Sequence, residues 1–244
     1  EVLIIRDLQP DPANAGTDRG ICDSTEIFLD GNQVPAGGTG LWTVLSGGSA
    51  LTDPNDPKTR VTGLTYGINQ FRWEITSQYG ICSGSSDIVE ITRDEAPDPS
   101  FAGADQSLCN TASLPLGANP ASVGVGVWSV VTNPSGVPPV FNPSVNDENA
   151  TIQIMPGDEG IYELSWTITN ESCVTSDTIR IDFGVTPPPA DAGLNDSVCG
   201  ITASLSGNNP APGTGNWSKV SGPGSVSFLP GPDSPGTLAR INAG

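Results

Sequence analysis

The sequence has no histidine, only 9 lysines and arginines and a single methionine. Without histidine it lacks the commonest general base, the commonest metal ligand and every Ser-His or Cys-His nucleophile pair. Lys58 and Lys219 are the only lysines, which leaves almost no candidate for a Ser-Lys dyad. Against these few cations stand 27 acidic residues, for a formal charge of −18 and a pI near 4.1. Such a balance excludes a phosphate-neutralising nucleic-acid surface and is repelled by anionic membranes. Long apolar runs are missing as well. The longest aliphatic stretch resembles Val2-Leu3-Ile4-Ile5, far short of the roughly 20 residues of a spanning helix. No direct membrane insertion is expected, and any attachment is expected outside this chain. The start at Glu1, with no signal peptide, reads as an excerpt of a processed or longer polypeptide.

What is abundant is glycine (30) and proline (23), with 36% hydrophobic and only 15% charged residues. This is strand-and-turn composition, poor in helix formers. Five tryptophans and recurrent apolar alternation argue for packed cores rather than disorder. The expected fold class is all-β.

The chain repeats itself at intervals of about 90 residues. Ala15-Gly16-Thr17-Asp18-Arg19-Gly20-Ile21-Cys22, Ala102-Gly103-Ala104-Asp105-Gln106-Ser107-Leu108-Cys109 and Ala192-Gly193-Leu194-Asn195-Asp196-Ser197-Val198-Cys199 share one opening pattern. Each leads to a tryptophan in a short strand-like run, at Trp42, Trp128 and Trp217. In the first two copies a second tryptophan follows. Phe71, Trp73 and Ile75 share one parity, as do Tyr162, Leu164, Trp166 and Ile168, which predicts half-buried strands. A second cysteine, Cys82 or Cys173, precedes a closing strand around Val89 and Ile91 or Ile179 and Ile181.

Arg6-Asp7-Leu8-Gln9-Pro10-Asp11-Pro12 matches Arg93-Asp94-Glu95-Ala96-Pro97-Asp98-Pro99. The expected organisation is therefore residues 1–6 as the last strand of a preceding repeat, repeats at 7–93 and 94–184, and an incomplete repeat at 185–244. The proline-bearing junctions read as semi-rigid spacers.

Two full repeats with two cysteines each, and one cut repeat with one, account for all five cysteines. Four cysteines allow three connectivities, and sequence does not choose among them. Equivalence of the units favours pairing within repeats, Cys22 with Cys82 and Cys109 with Cys173, leaving Cys199 with a partner beyond Gly244. A loop of about 60 residues closed in this way stabilises each unit by roughly 4 kcal/mol in the chain-entropy account. Disulfides place the chain in an oxidising, extracytoplasmic compartment. No cysteine pair has C-x-x-C spacing, which argues against zinc.

Units of this length with a Cys, Trp, Cys order fit an immunoglobulin-like sandwich, with the first tryptophan packed on the inter-sheet disulfide. Gly38-Thr39-Gly40-Leu41-Trp42, Leu51-Thr52-Asp53-Pro54-Asn55-Asp56-Pro57, Tyr162-Glu163-Leu164-Ser165-Trp166-Thr167-Ile168-Thr169-Asn170 and Gly207-Asn208-Asn209-Pro210 carry a further likeness. The chain resembles the PKD-like, immunoglobulin-type tandem repeats of large secreted surface proteins of Bacteroidota. Among these are gliding-motility adhesins of the SprB kind, exported by type IX secretion. The resemblance implies a non-enzymatic stalk segment of an extracellular, cell-surface adhesin. Its partners would be neighbouring repeats of the same chain, with surface glycans or protein receptors engaged through other regions. The competing implications are a spacer or binding accessory of a secreted hydrolase, and a subunit of a surface filament.

Carboxylates recur at the junctions. Asp7, Asp11, Asp94 and Asp98 are candidate calcium ligands, since oxygens of two neighbouring units can share one hard cation. The competing reading is of solvated turn residues in an acidic secreted protein. No other cofactor is expected, and the tryptophans are expected in cores rather than as sugar platforms.

Overall fold

The computed structural model describes residues 2–242, and all their regular structure is strand. Glu1 and Gly244, the outermost residues of the organisation expected from sequence, lie outside that range. Residues 19–94 carry β1 (Arg19–Cys22), β2 (Glu26–Phe28), β3 (Thr39–Val44), β4 (Ala50–Leu51), β5 (Arg60–Thr62), β6 (Gly67–Thr76) and β7 (Ser85–Asp94). They make one sheet ordered β1-β7-β6-β3 and a second ordered β2-β5-β4. β1 runs parallel to β7, while every other neighbour in the two sheets is antiparallel.

Residues 106–184 repeat the arrangement. The strands are β8 (Gln106–Cys109), β9 (Ser113–Pro115), β10 (Val125–Thr132), β11 (Val140–Asn142), β12 (Thr151–Gln153), β13 (Gly160–Asn170) and β14 (Cys173–Gly184). Their sheets are ordered β8-β14-β13-β10 and β9-β12-β11, again with the opening strand parallel to the last. Each pair of sheets encloses one apolar core, giving two immunoglobulin-like sandwiches in tandem. A third group, β15 (Thr202–Ser204), β16 (Ser225–Leu229) and β17 (Leu238–Asn242), forms one sheet ordered β15-β17-β16. Among the described residues it has no facing sheet.

The alternation legible in the sequence sets the cores. Phe71, Trp73 and Ile75 on β6, and Tyr162, Leu164, Trp166 and Ile168 on β13, are fully buried, while the intervening residues face outward. Trp42 lies directly across from Trp73, with ring centroids 5.0 Å apart, and Trp128 across from Trp166 at 5.2 Å. The expectation that the first tryptophan packs on a disulfide is therefore corrected. A second tryptophan occupies that place, and no cystine lies in either core.

The pairing of two indoles needs space, which glycine provides. Gly40 and Gly126 sit two residues before Trp42 and Trp128 on the same inward face, and a Cβ added to either would overlap the ring of Trp73 or Trp166. The start of β13 carries a tyrosine corner. Tyr162 donates its hydroxyl to the Asp158 carbonyl at 2.9 Å and stacks edge-on to Phe183. In the first sandwich, buried Asn69 has this place and donates its amide to the Thr65 carbonyl, also four residues upstream.

Neither Gly40 nor Gly126 has a positive φ, so alanine there suits the backbone and on entropy alone would stabilise. The indole overlap reverses the sign. Gly40→Ala and Gly126→Ala are each expected to destabilise their sandwich by about 1–3 kcal/mol in urea unfolding followed by tryptophan fluorescence. An unchanged or raised midpoint would mean that the rings do not lie over the glycines.

Candidate functional site

The residues singled out by sequence gather at the poles of the sandwiches. β1 ends at Cys22, which stands in register with Asp94 at the far end of β7. Cys82 precedes the start of β7. Ten strand residues therefore separate them, a span of about 30 Å, whereas a disulfide requires Cα atoms within about 7 Å. Cys109 and Cys173 lie likewise at opposite ends of β14.

The within-repeat pairing expected from sequence is thus excluded by the strand between the cysteines. The bond instead joins Cys22 to Cys173, 151 residues apart in sequence, with Cα atoms separated by 4.8 Å. Cys82, Cys109 and Cys199 carry free thiols. The cystine links the trailing pole of the first sandwich to the β13–β14 turn at the leading pole of the second.

Polar groups surround this staple. Asp94, nearly buried, accepts the Ser172 N–H on Oδ2 at 3.1 Å, while its carbonyl accepts the Asp23 N–H at 2.9 Å and lies 3.6 Å from Cys173 Sγ. Asn170 donates to the Glu95 carbonyl at 2.8 Å. Gly20 faces Ser172 so closely that a Cβ there would come within 3.0 Å of the serine Cβ. Beside Cys22, Asp23 adopts a positive φ and is held by Arg93, whose guanidinium also covers the Tyr66 ring at 3.9 Å. The Tyr66 hydroxyl donates to Asp23, which lowers the carboxyl pKa, with Arg93 adding to the effect, and raises that of the phenol.

The linkers are strapped to the units that follow them. Asn32, Asn119 and Asn208 each accept a backbone N–H, from Asn14, Phe101 and Asp191 respectively. Each also donates its amide to a proline carbonyl, of Pro12, Pro99 or Pro189. Asp87 and Asp177 accept from the backbone of Ala15 and Ala102. Asp18 and Asp105, from the repeated opening motif, accept from Glu90 and Arg180 where the parallel pairing begins. Sequence reasoning missed the asparagine clasp. Its signal was present, since Gly31-Asn32, Ala118-Asn119 and Gly207-Asn208 place an asparagine 10, 10 and 9 residues after the opening cysteines.

The candidate calcium ligands divide among different partners. Asp7 accepts from the Ser77 hydroxyl and the backbone of Tyr79, Ile81 and Cys82. Asp94 binds the turn before Cys173, and Asp98 accepts from the Ser122 hydroxyl at 2.6 Å. Asp11 is exposed. Among the described residues no group of three or more acidic or cysteine side chains converges as a metal centre. A depression lined by Pro187, Pro210, Trp217 and Pro235 lies beside Trp217, whose equivalents Trp42 and Trp128 are covered by the second tryptophan of the neighbouring strand.

No protein-family model matches the chain, and no curated protein does. Among solved structures, immunoglobulin domains 1–5 of Sidekick-1 align over 98% of this chain and 54% of theirs, at 15% identity and a TM-score of 0.43. This chain thus spans about half the length of that match. A three-immunoglobulin-domain fragment of titin aligns over 97% and 90%, at 12% identity and a TM-score of 0.37. The PKD domain of the KIAA 1837 protein aligns over 33% and 85%, at 26% identity and a TM-score of 0.28.

The Asp7 cradle yields a pH dependence. The Ser77 hydroxyl, with the N–H groups of Cys82, Ile81 and Tyr79, outweighs partial desolvation and lowers the Asp7 pKa from 3.8 to about 2. A depressed carboxyl favours the docked state above its ordinary pKa, and that contribution is lost as pH falls through the docked value. Amide resonances of Ile81 and Cys82 are therefore expected to titrate with a midpoint near pH 2, and Asp7→Asn should abolish the transition. A midpoint near 3.8 would show that the cradle does not hold the carboxylate.

Proposed function

We propose that this chain is a non-enzymatic, load-bearing stalk segment of a large extracellular surface protein. The observation that supports this best is the Cys22–Cys173 bond, because it joins consecutive sandwiches instead of closing either one. A crosslink of that kind adds little to the chemistry of a binding site and much to the fixity of a junction. The bond also fits an oxidising compartment outside the cytoplasm. In this reading the units are bounded at 7–93 and 94–184, with a partial unit at 185–244. Their partners are the neighbouring units of the same chain.

The finer assignment is to the bacterial surface adhesins of the gliding-motility kind, delivered by type IX secretion. It rests on the motifs around Trp42, Trp166 and Trp217. Ligands of the whole adhesin, whether glycans or protein receptors, are engaged by other regions. A calcium ion held by Asp7 and Asp11, or by Asp94 and Asp98, would add to this stiffening; Asp7 and Asp94 also accept backbone N–H groups beside the junctions.

Mass and flank mapping of the non-reduced polypeptide from its source tests the stalk. Many further sandwiches of this type are expected. A few repeats beside a large unrelated domain would transfer the function to that domain and sink this reading.

Single-molecule extension tests the mechanical role directly. Pulled from its two ends, the oxidised chain is expected to withhold the segment between Cys22 and Cys173. Reduction should release it, adding roughly 500 Å of extension at about 3.3–3.6 Å per residue. Equal extensions before and after reduction would mean that the bond carries no load.

A further inference from the structure

Three features at the leading pole of the first sandwich repeat the described junction but have no partner sandwich among the described residues. Val2 and Ile4 are 88% and 87% exposed, although Val2-Leu3-Ile4-Ile5-Arg6-Asp7 matches Val89-Glu90-Ile91-Thr92-Arg93-Asp94. The corresponding Val89 and Ile91 are 1% and 0% exposed. Asp7 docks on the turn carrying Cys82 as Asp94 docks on the turn carrying Cys173. Cys82, at the position equivalent to Cys173, is a free thiol.

At the described junction, the residue in register with Asp94 is Cys22, and it bonds Cys173. The same geometry around Asp7 would bring an opening-strand cysteine beside it to Cys82. We propose that Cys82 is the receiving half of a second inter-sandwich disulfide. Its partner is the opening-strand cysteine of another sandwich of this type lying ahead of Asp7, whose last strand is residues 2–6. Cys109 is the outgoing half of the next link, since it stands against Gly184 as Cys22 stands against Asp94.

Each link forms when two thiols lose two protons and two electrons. A disulfide oxidant accepts both and leaves as two thiols. Cys109 lies inside the span from Cys22 to Cys173, so successive links overlap. A pull along the array would then pass from one link to the next through the short run from Cys82 to Cys109, or from Cys173 to Cys199.

The inference rests on the array reading above, and its test separates the two. A second copy of residues 7–93, with its own Cys82→Ser change, is fused directly ahead of Asp7 of the chain in place of residues 1–6. The protein is refolded in reduced and oxidised glutathione, then alkylated in denaturant without reductant and mapped by proteolysis. In the unfused chain, Cys82 is alkylated. In the fusion it is expected to lose alkylation and to appear in a peptide linked to the added copy's opening cysteine, alongside the Cys22–Cys173 peptide. Cys22→Ser in the added copy should restore alkylation.

Alkylated Cys82 together with an intact Cys22–Cys173 peptide would overturn the inference. Where the fusion forms neither link, the map of the source polypeptide decides. Cys82 joined to an upstream cysteine supports the proposal, and a free Cys82 rejects it. A free Cys82 in a long array would leave the stalk reading standing, whereas a linked Cys82 in a protein of few repeats would do the reverse.

Discussion

The parallel pairing of the opening strand with the last strand governs the junction. β1 lies along the second half of β7 and points the same way, so it delivers Cys22 to the pole where the chain leaves the sandwich. Antiparallel pairing would have directed Cys22 back toward Cys82. The linker then starts beside the cysteine, and Asp94 reaches the next unit within hydrogen-bonding distance of Ser172. Strand direction, rather than any special affinity between the sandwiches, brings two cysteines 151 residues apart into bonding range.

The cores free the cysteines for this use. In an immunoglobulin domain the disulfide ties the two sheets across the core. Here Trp42 and Trp73, or Trp128 and Trp166, fill the centre with aromatic surface laid over a glycine. Burying two indoles contributes several kcal/mol through area and ring contact, so neither sandwich depends on an internal crosslink. The polar corner follows similar substitution logic. Asn69 and Tyr162 bond to backbone four residues upstream, one with an amide and the other with a hydroxyl, because each bends the chain into the same buried strand.

Much of this was legible in the sequence. The parity of Phe71, Trp73 and Ile75, and of the matching run from Tyr162 to Ile168, identified the central strands and their buried faces, since one side of each strand meets a core. The cysteine connectivity was not legible. Equivalence of the units is satisfied equally by pairing within repeats and by pairing each opening cysteine with the second cysteine of the following repeat. Only the length of β7 and the direction of β1 distinguish them, and both come from non-local pairing. The asparagine clasp was hidden for a different reason. Gly-Asn or Ala-Asn reads as an ordinary turn until the proline carbonyl the asparagine grips is brought beside it. The opening motif's Asp18 and Asp105 were visible as acidic residues, but their backbone partners on β7 and β14 were not.

A tandem chain under tension is as strong as its weakest element in series, and in most arrays that element is a linker or a terminal strand. Disulfides closed within units would protect each core and leave those elements in the load path. A bond from Cys22 to Cys173 does the opposite. Force arriving at β1 crosses directly to β14, bypassing the linker at residues 95–99, the β6–β7 pairing and the whole of β8 to β13. The hydrogen bonds of Asp94, Asn119 and Asn170 are then left to set the angle between the sandwiches rather than to resist their separation. Division of labour of this kind lets a junction be held by a few weak, directional bonds. In the proposed stalk the covalent path would take the load, while the polar contacts would need only to survive thermal motion.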